Sequence, residues 1–115
     1  MESLDYVKIA YEALNDKKAE DIRVLDIQGV SVIADYFIIA NGNNANQLQA
    51  LIDNVEEKLA KAGLHPKQTE GVNTNWILMD YNDFIVHIFS KEDRLFYDLE
   101  RIWRDGKQIE LSDMK

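Results

Sequence analysis

Cysteine is absent from the 115 residues, which excludes disulfides, thiolate zinc sites and cysteine nucleophiles. A reducing cytoplasm is the expected compartment. Histidine is nearly absent too, with only His65 and His87 and no HExxH spacing, so a zinc site is not expected. No apolar stretch approaches the eighteen or so residues of a membrane span, and Met1-Glu2-Ser3-Leu4-Asp5 is acidic where a signal peptide starts basic. A soluble chain without a membrane partner is expected. Asn41-Gly42-Asn43-Asn44 has one glycine and no P-loop lysine; it reads first as the N-cap of a following helix, and only second as a weak anion site there. Ser3, Ser31, Ser90 and Ser112 lack a GxSxG context. Basic residues are also scarce, 13 against 21 acidic, for a formal charge of -8. Such a field repels phosphate backbones and attracts cationic surfaces, so a basic protein suits this chain better than DNA.

What is present is concentrated in Trp76-Ile77-Leu78-Met79-Asp80-Tyr81-Asn82-Asp83-Phe84-Ile85-Val86-His87-Ile88-Phe89. Two apolar runs flank a polar pair. Asn82-Asp83 suits a two-residue hairpin turn, because both residue types tolerate the left-handed conformation of primed turns. A period of two then puts Trp76, Leu78 and Asp80 on one face and Ile77, Met79 and Tyr81 on the other. Two readings of this cargo stand side by side: an amphipathic core hairpin whose tryptophan is merely large, and an interface with an aromatic anchor. His87, between Val86 and Ile88, reads as a hydrogen-bonded structural histidine.

Around the hairpin the sequence predicts a first helix from Ser3, with Leu4, Val7, Ala10, Tyr11 and Leu14 at helical spacing down to Lys17-Lys18. Asp21 to Ile27 reads as a strand, and Ala34 to Ala40 as a second strand buried on both faces and therefore central. A second helix carries Leu48, Leu51, Ile52, Val55 and Leu59, pairs Glu57 with Lys61, and ends at Gly63 before Pro66. A crossover strand at Lys67 to Glu70, the hairpin, and a third helix opened by Ser90-Lys91-Glu92-Asp93 with Phe96, Leu99, Ile102 and Trp103 buried complete the order. The expected fold class is α/β (mixed α+β): one domain over residues 1–106, a mixed sheet of about five strands with helices packed on it, and a frayed tail over 107–115.

Asp35-Tyr36-Phe37-Ile38-Ile39-Ala40, Gly42, Gln47, Gly63, Pro66, Glu70-Gly71, Trp76 to Tyr81, Asp83 to Phe89, Phe96-Tyr97-Asp98-Leu99-Glu100 and Trp103 together resemble the ribosomal silencing factor family (RsfS, or Iojap-like). Ordered blocks over roughly residues 4 to 105 are more specific than any one motif. The resemblance implies a nucleotidyltransferase-like fold without known catalysis, no cofactor, and binding to ribosomal protein fourteen of the large ribosomal subunit. Bulk on that surface would block joining of the small subunit and repress translation when nutrients are short. Homodimers are implied as well. On this reading Trp76 and Tyr81 are anchors, and Asp80 and Asp83 steer toward Lys and Arg of the partner.

Two departures stand out. Asn82 occupies the place of the family's usual glycine in a D-Y-G-D turn, and Asn41 to Gln47 lacks the Ser and Arg of T-G-x-S-x-R-Q. The runner-up reading is a small metal-dependent nucleotidyltransferase with Asp35, Asp80 and Asp83 as ligands, although neither hairpin strand carries a DxD spacing. A plain dimerisation module is the third.

Overall fold

Chain order in the computed structural model, which describes residues 3–28, 34–71, 76–90 and 107–109, is α1 (Ser3–Asp16), β1 (Glu20–Asp26), β2 (Tyr36–Gly42), α2 (Ala45–Lys61), β3 (Gln68–Glu70), β4 (Trp76–Asp80), β5 (Phe84–Ser90) and β6 (Lys107–Ile109). The sheet runs β3-β4-β5-β2-β1-β6. β2 and β5 pair in parallel and every other pair is antiparallel, so the sheet is mixed, as expected. Phe37 to Ala40 are all buried, which is what strand partners on both sides and cover on both faces require of a continuous apolar run.

The sixth strand is the difference from the sequence reading. Lys107–Ile109 falls in the stretch expected to fray, yet its backbone pairs with β1 through Asp26↔Lys107, Leu25↔Gln108 and Val24↔Ile109. An edge strand offers unsatisfied N–H and C=O groups whatever the side chains are, so a segment with little apolar content can still be held. The expected third helix and residues 72–75 lie outside the described residues.

Both described helices pack on one face of the sheet. Val7, Ala10 and Leu14 of α1 and Leu48, Leu51, Ile52, Val55 and Leu59 of α2 join Ile38, Ala40, Ile77, Met79, Tyr81, Phe84, Val86 and Ile88 in one core. A second cluster, on the opposite face, holds Leu25, Ile27, Ala34, Phe37, Ile39, Ile85 and Phe89, with Trp76 and Leu78 partly buried against it.

Local chemistry fixes the helix ends. Asn44 caps α2 by accepting from the Gln47 N–H at 2.9 Å, and Gln47 reaches back to accept from the Asn43 N–H at 2.7 Å. This reciprocal pair is a variant of the capping box, its returning bond coming from the residue before the cap instead of the cap itself. At the other end Gly63, at φ +88°, turns the chain so that Leu64 N–H reaches the Leu59 carbonyl at 2.9 Å and Gly63 N–H that of Ala60 at 2.9 Å. α1 ends in the same motif with Lys18 at φ 63° where glycine would be least strained. Asp21, at φ 49°, sits where the β1–β2 register shifts between Glu20 and Arg23, so the bulge opens β1.

Candidate docking surface

The hairpin folds in the register that its alternation predicts. Trp76 pairs with Phe89, Leu78 with His87 and Asp80 with Ile85, leaving Tyr81 and Phe84 to flank the turn. Ile77, Met79 and Tyr81 are buried on the helix side, and Trp76, Leu78 and Asp80 are half-buried on the other. The turn is tighter than a primed turn with two left-handed residues. Asn82 alone is left-handed, at φ 73°, and the Asp83 N–H bonds back to the Tyr81 carbonyl at 2.9 Å. That bond spans three residues, a γ-type closure with Asn82 at its apex. The Asp80 carboxylate supports it by accepting from the Asn82 N–H at 2.8 Å.

Trp76 is built into an aromatic group. Its ring stacks on Phe89, with centroids 5.4 Å apart and planes 23° from parallel, and its Nε1–H donates to His87 Nδ1 at 3.2 Å. Phe37 meets the imidazole edge-on at 4.7 Å. Burial among these rings pushes the His87 pKa down to about 4, so the imidazole is neutral at physiological pH. Because Nδ1 accepts from the indole, the single imidazole proton resides on Nε2. That atom is buried and has no hydrogen-bond partner among the described residues. The expected structural histidine is therefore hydrogen-bonded on one side only.

Carboxylates gather at the end of the sheet where the turn lies. Asp35 N–H and Tyr36 N–H both bond the Asp83 carbonyl, at 2.8 and 3.3 Å, which joins the start of β2 to the turn. Asp26 is the register partner of Tyr36. The Tyr36 pKa is raised by burial, then by Asp26, and by Asp35. Asp26, Asp35, Asp80 and Asp83 thus mark one acidic end, roughly 13 Å along β4 from Trp76 at the usual strand rise. Sequence reasoning missed Asp26, because only the β1–β2 register brings it to this end. The charge that it carries was the one available signal.

Four residues were expected to form the site, and the sheet separates one of them. Trp76 and Asp80 share a face, Asp83 is exposed at the turn, and Tyr81 is only 3% exposed, stacked on Phe84 at 5.0 Å beneath the helices. Alternation carries Tyr81 to the opposite side of the sheet from Trp76, and no bulge between them reverses it. Its hydroxyl has no partner among the described residues, and burial first and Glu56 second raise its pKa. The metal-ligand reading of Asp35, Asp80 and Asp83 also needs correction. No group of three or more His, Asp or Glu that could hold a metal occurs among the described residues, and one Asp80 oxygen already serves the turn. His65 lies apart with Asp53, Glu56, Glu57 and Ala60 in a shallow, open depression beside α2. No helix among the described residues is long and apolar enough to cross a membrane.

Among the described residues, α1 and α2 cover one face of a mixed sheet, the Trp76 aromatic group lies on the other, and four carboxylates mark one end. The family described as "Ribosomal silencing factor during starvation" matches residues 1–115, and the chain belongs to that family. It is 39% identical over 112 residues to the ribosomal silencing factor of Bacillus subtilis, covering 96% of this chain and 95% of that one. A crystal structure of a Chromobacterium violaceum protein superposes with a TM-score of 0.87 at 36% identity, covering 90% of this chain and 87% of the other. One from Bacillus halodurans gives 0.81 at 34% identity, with 92% and 97% covered.

Proposed function

We propose that this chain represses translation by occupying ribosomal protein fourteen of the large subunit, so that its bulk prevents the small subunit from joining. Family membership supports a role on the ribosome. The observation that supports this surface is the half-buried Trp76 on the face opposite α1 and α2, in the same hairpin as Asp80 and Asp83. A large ring already stacked on Phe89 has little freedom left to lose on binding, which suits an anchor. Carboxylates at the sheet end, on a chain of charge -8, steer it toward Lys and Arg. Trp76 is the anchor in this reading, Asp80 and Asp83 steer from the sheet end, and Tyr81 supports them from the core. The effect needs no bond-making chemistry, cofactor or metal. The cytoplasmic ribosome is its place of action.

Co-sedimentation with purified large subunits tests the docking, and light scattering on mixing the subunits tests the block. Trp76→Ala should weaken co-sedimentation by about thirtyfold, the scale of an interface hot spot. The pair Asp80→Lys, Asp83→Lys should weaken it as well, with native circular dichroism in both variants. Unchanged co-sedimentation would remove the hairpin from the interface, and normal subunit joining at saturation would remove the block. Sizing the chain with and without ribosomal protein fourteen separates a homodimer from the docked complex.

A further inference from the structure

We propose that His87 is a positioning residue for the docking surface, holding the Trp76 indole in its binding orientation through the Nε1–H to Nδ1 bond. This rests on the docking role proposed for Trp76. Histidine is a costly choice at this position. β5 reads Phe84-Ile85-Val86-His87-Ile88-Phe89, every other one of these side chains is apolar, and His87 is as buried as they are. Across the sheet its register partners are Leu78 and Ile39, and its ring neighbours are Phe37, Phe89 and Trp76. Nothing among these can accept the proton on Nε2, which is buried and has no partner among the described residues. A phenylalanine would fill the same space without that penalty.

What the imidazole alone provides is a lone pair on Nδ1 at 3.2 Å from the indole nitrogen. Stacking on Phe89 sets the tilt of the Trp76 ring, and the bond to Nδ1 adds a directed restraint at the nitrogen edge of the indole. The Trp76 ring is then set before a partner arrives, and less order has to be imposed on docking. A buried polar atom that is only half satisfied marks a place where the local packing rule is broken for another purpose.

The chain has two tryptophans, so an HSQC spectrum of the 15N-labelled protein shows two indole N–H signals, and Trp76→Phe identifies the relevant one. His87→Phe removes the acceptor while keeping an aromatic filling. His87→Asn returns an acceptor oxygen close to the position of Nδ1. In the free protein, His87→Phe should shift the Trp76 indole signal and speed its exchange with solvent, and His87→Asn should restore most of both. With large subunits, His87→Phe should weaken co-sedimentation about tenfold, His87→Asn should recover it, and Trp76→Ala, His87→Phe should bind no worse than Trp76→Ala alone. An indole signal that ignores His87→Phe, or strictly additive losses in the double variant, overturns the proposal. The two readings fail differently. Trp76→Ala that binds like the parent overturns the docking surface and the positioning role with it, whereas Trp76→Ala that loses binding while His87→Phe keeps it overturns the positioning role alone.

Discussion

Asn54 of α2 donates its side-chain N–H to the main-chain oxygen of Ala13, 2.7 Å away, and so satisfies a carbonyl in the last turn of α1. Both groups are buried. The last four carbonyls of a helix have no partner within it, and here one is served by the neighbouring helix. Gln47 serves the two carbonyls just past that helix, with its Nε2 3.3 and 2.9 Å from the oxygens of Lys17 and Lys18. Replacing Asn54 by Ala leaves the Ala13 oxygen buried and unpaired, so stability should fall by about 1–3 kcal/mol. A urea melt followed by circular dichroism measures this, and an unchanged midpoint would mean that water replaces the amide. Asn54→Asp should be worse at pH 7, because an ionised carboxylate cannot donate and would face the oxygen it replaces a partner for.

Tyr81→Phe should have the opposite effect. The hydroxyl is buried without a partner among the described residues while the ring stacks on Phe84, so removing the oxygen keeps the packing and abolishes a desolvated polar atom. Stability should stay level or rise by roughly 1 kcal/mol. Co-sedimentation with large subunits should not change, since the ring lies on the far side of the sheet from Trp76. A loss of binding with intact stability would return Tyr81 to the interface.

The difference between Trp76 and Tyr81 was legible in the alternation of the hairpin, since five residues along a strand place two side chains on opposite faces. Burial of the Phe37 to Ala40 run, the Gly63 ending and the Asn44 cap were legible for similar reasons, each being set by neighbours in sequence. What escaped depends on distant partners. β6 exists through the free edge of β1 and carries no apolar pattern of its own. Asp26 reaches the acidic end through the β1–β2 register, and the bulge at Asp21 that interrupts this register has no glycine to announce it. The Trp76–His87 bond likewise joins residues eleven apart that become diagonal neighbours once β4 and β5 pair.

His87 gives the fold a pH dependence whose direction follows from its lowered pKa. In the folded chain it protonates near 4, against 6.5 for the unperturbed group. Between these values the unfolded chain binds a proton that the folded chain refuses, so stability present above pH 6.5 is lost as the pH falls toward 4. The full loss from this group approaches about 3 kcal/mol. The informative quantity is the difference between parent and His87→Phe, which isolates this group. Denaturation midpoints at pH 7 and pH 4.5 should lie further apart for the parent than for the variant. Equal spacing in the two proteins would show that the imidazole is hydrated and ordinary.

Charge and ring should act on different halves of the binding reaction. The acidic end and the overall charge of -8 act at a distance, so they govern how often the chain meets a cationic partner in a productive orientation. Trp76 acts only after contact, through the area that it buries, and therefore governs how long the complex lasts. Stopped-flow mixing with large subunits should show Asp80→Asn, Asp83→Asn slowing association severalfold at low salt with little change in dissociation. Trp76→Ala should speed dissociation and leave association near the parent value. Raising ionic strength from about 0.01 to 0.15 M shortens the Debye length from about 30 to 8 Å, so the parent and the Asp variant should converge in association rate while the Trp76 effect persists. If the Asp variant instead shortens the life of the complex and salt leaves its association untouched, those carboxylates are in direct contact with the partner and the steering field comes from elsewhere on the chain.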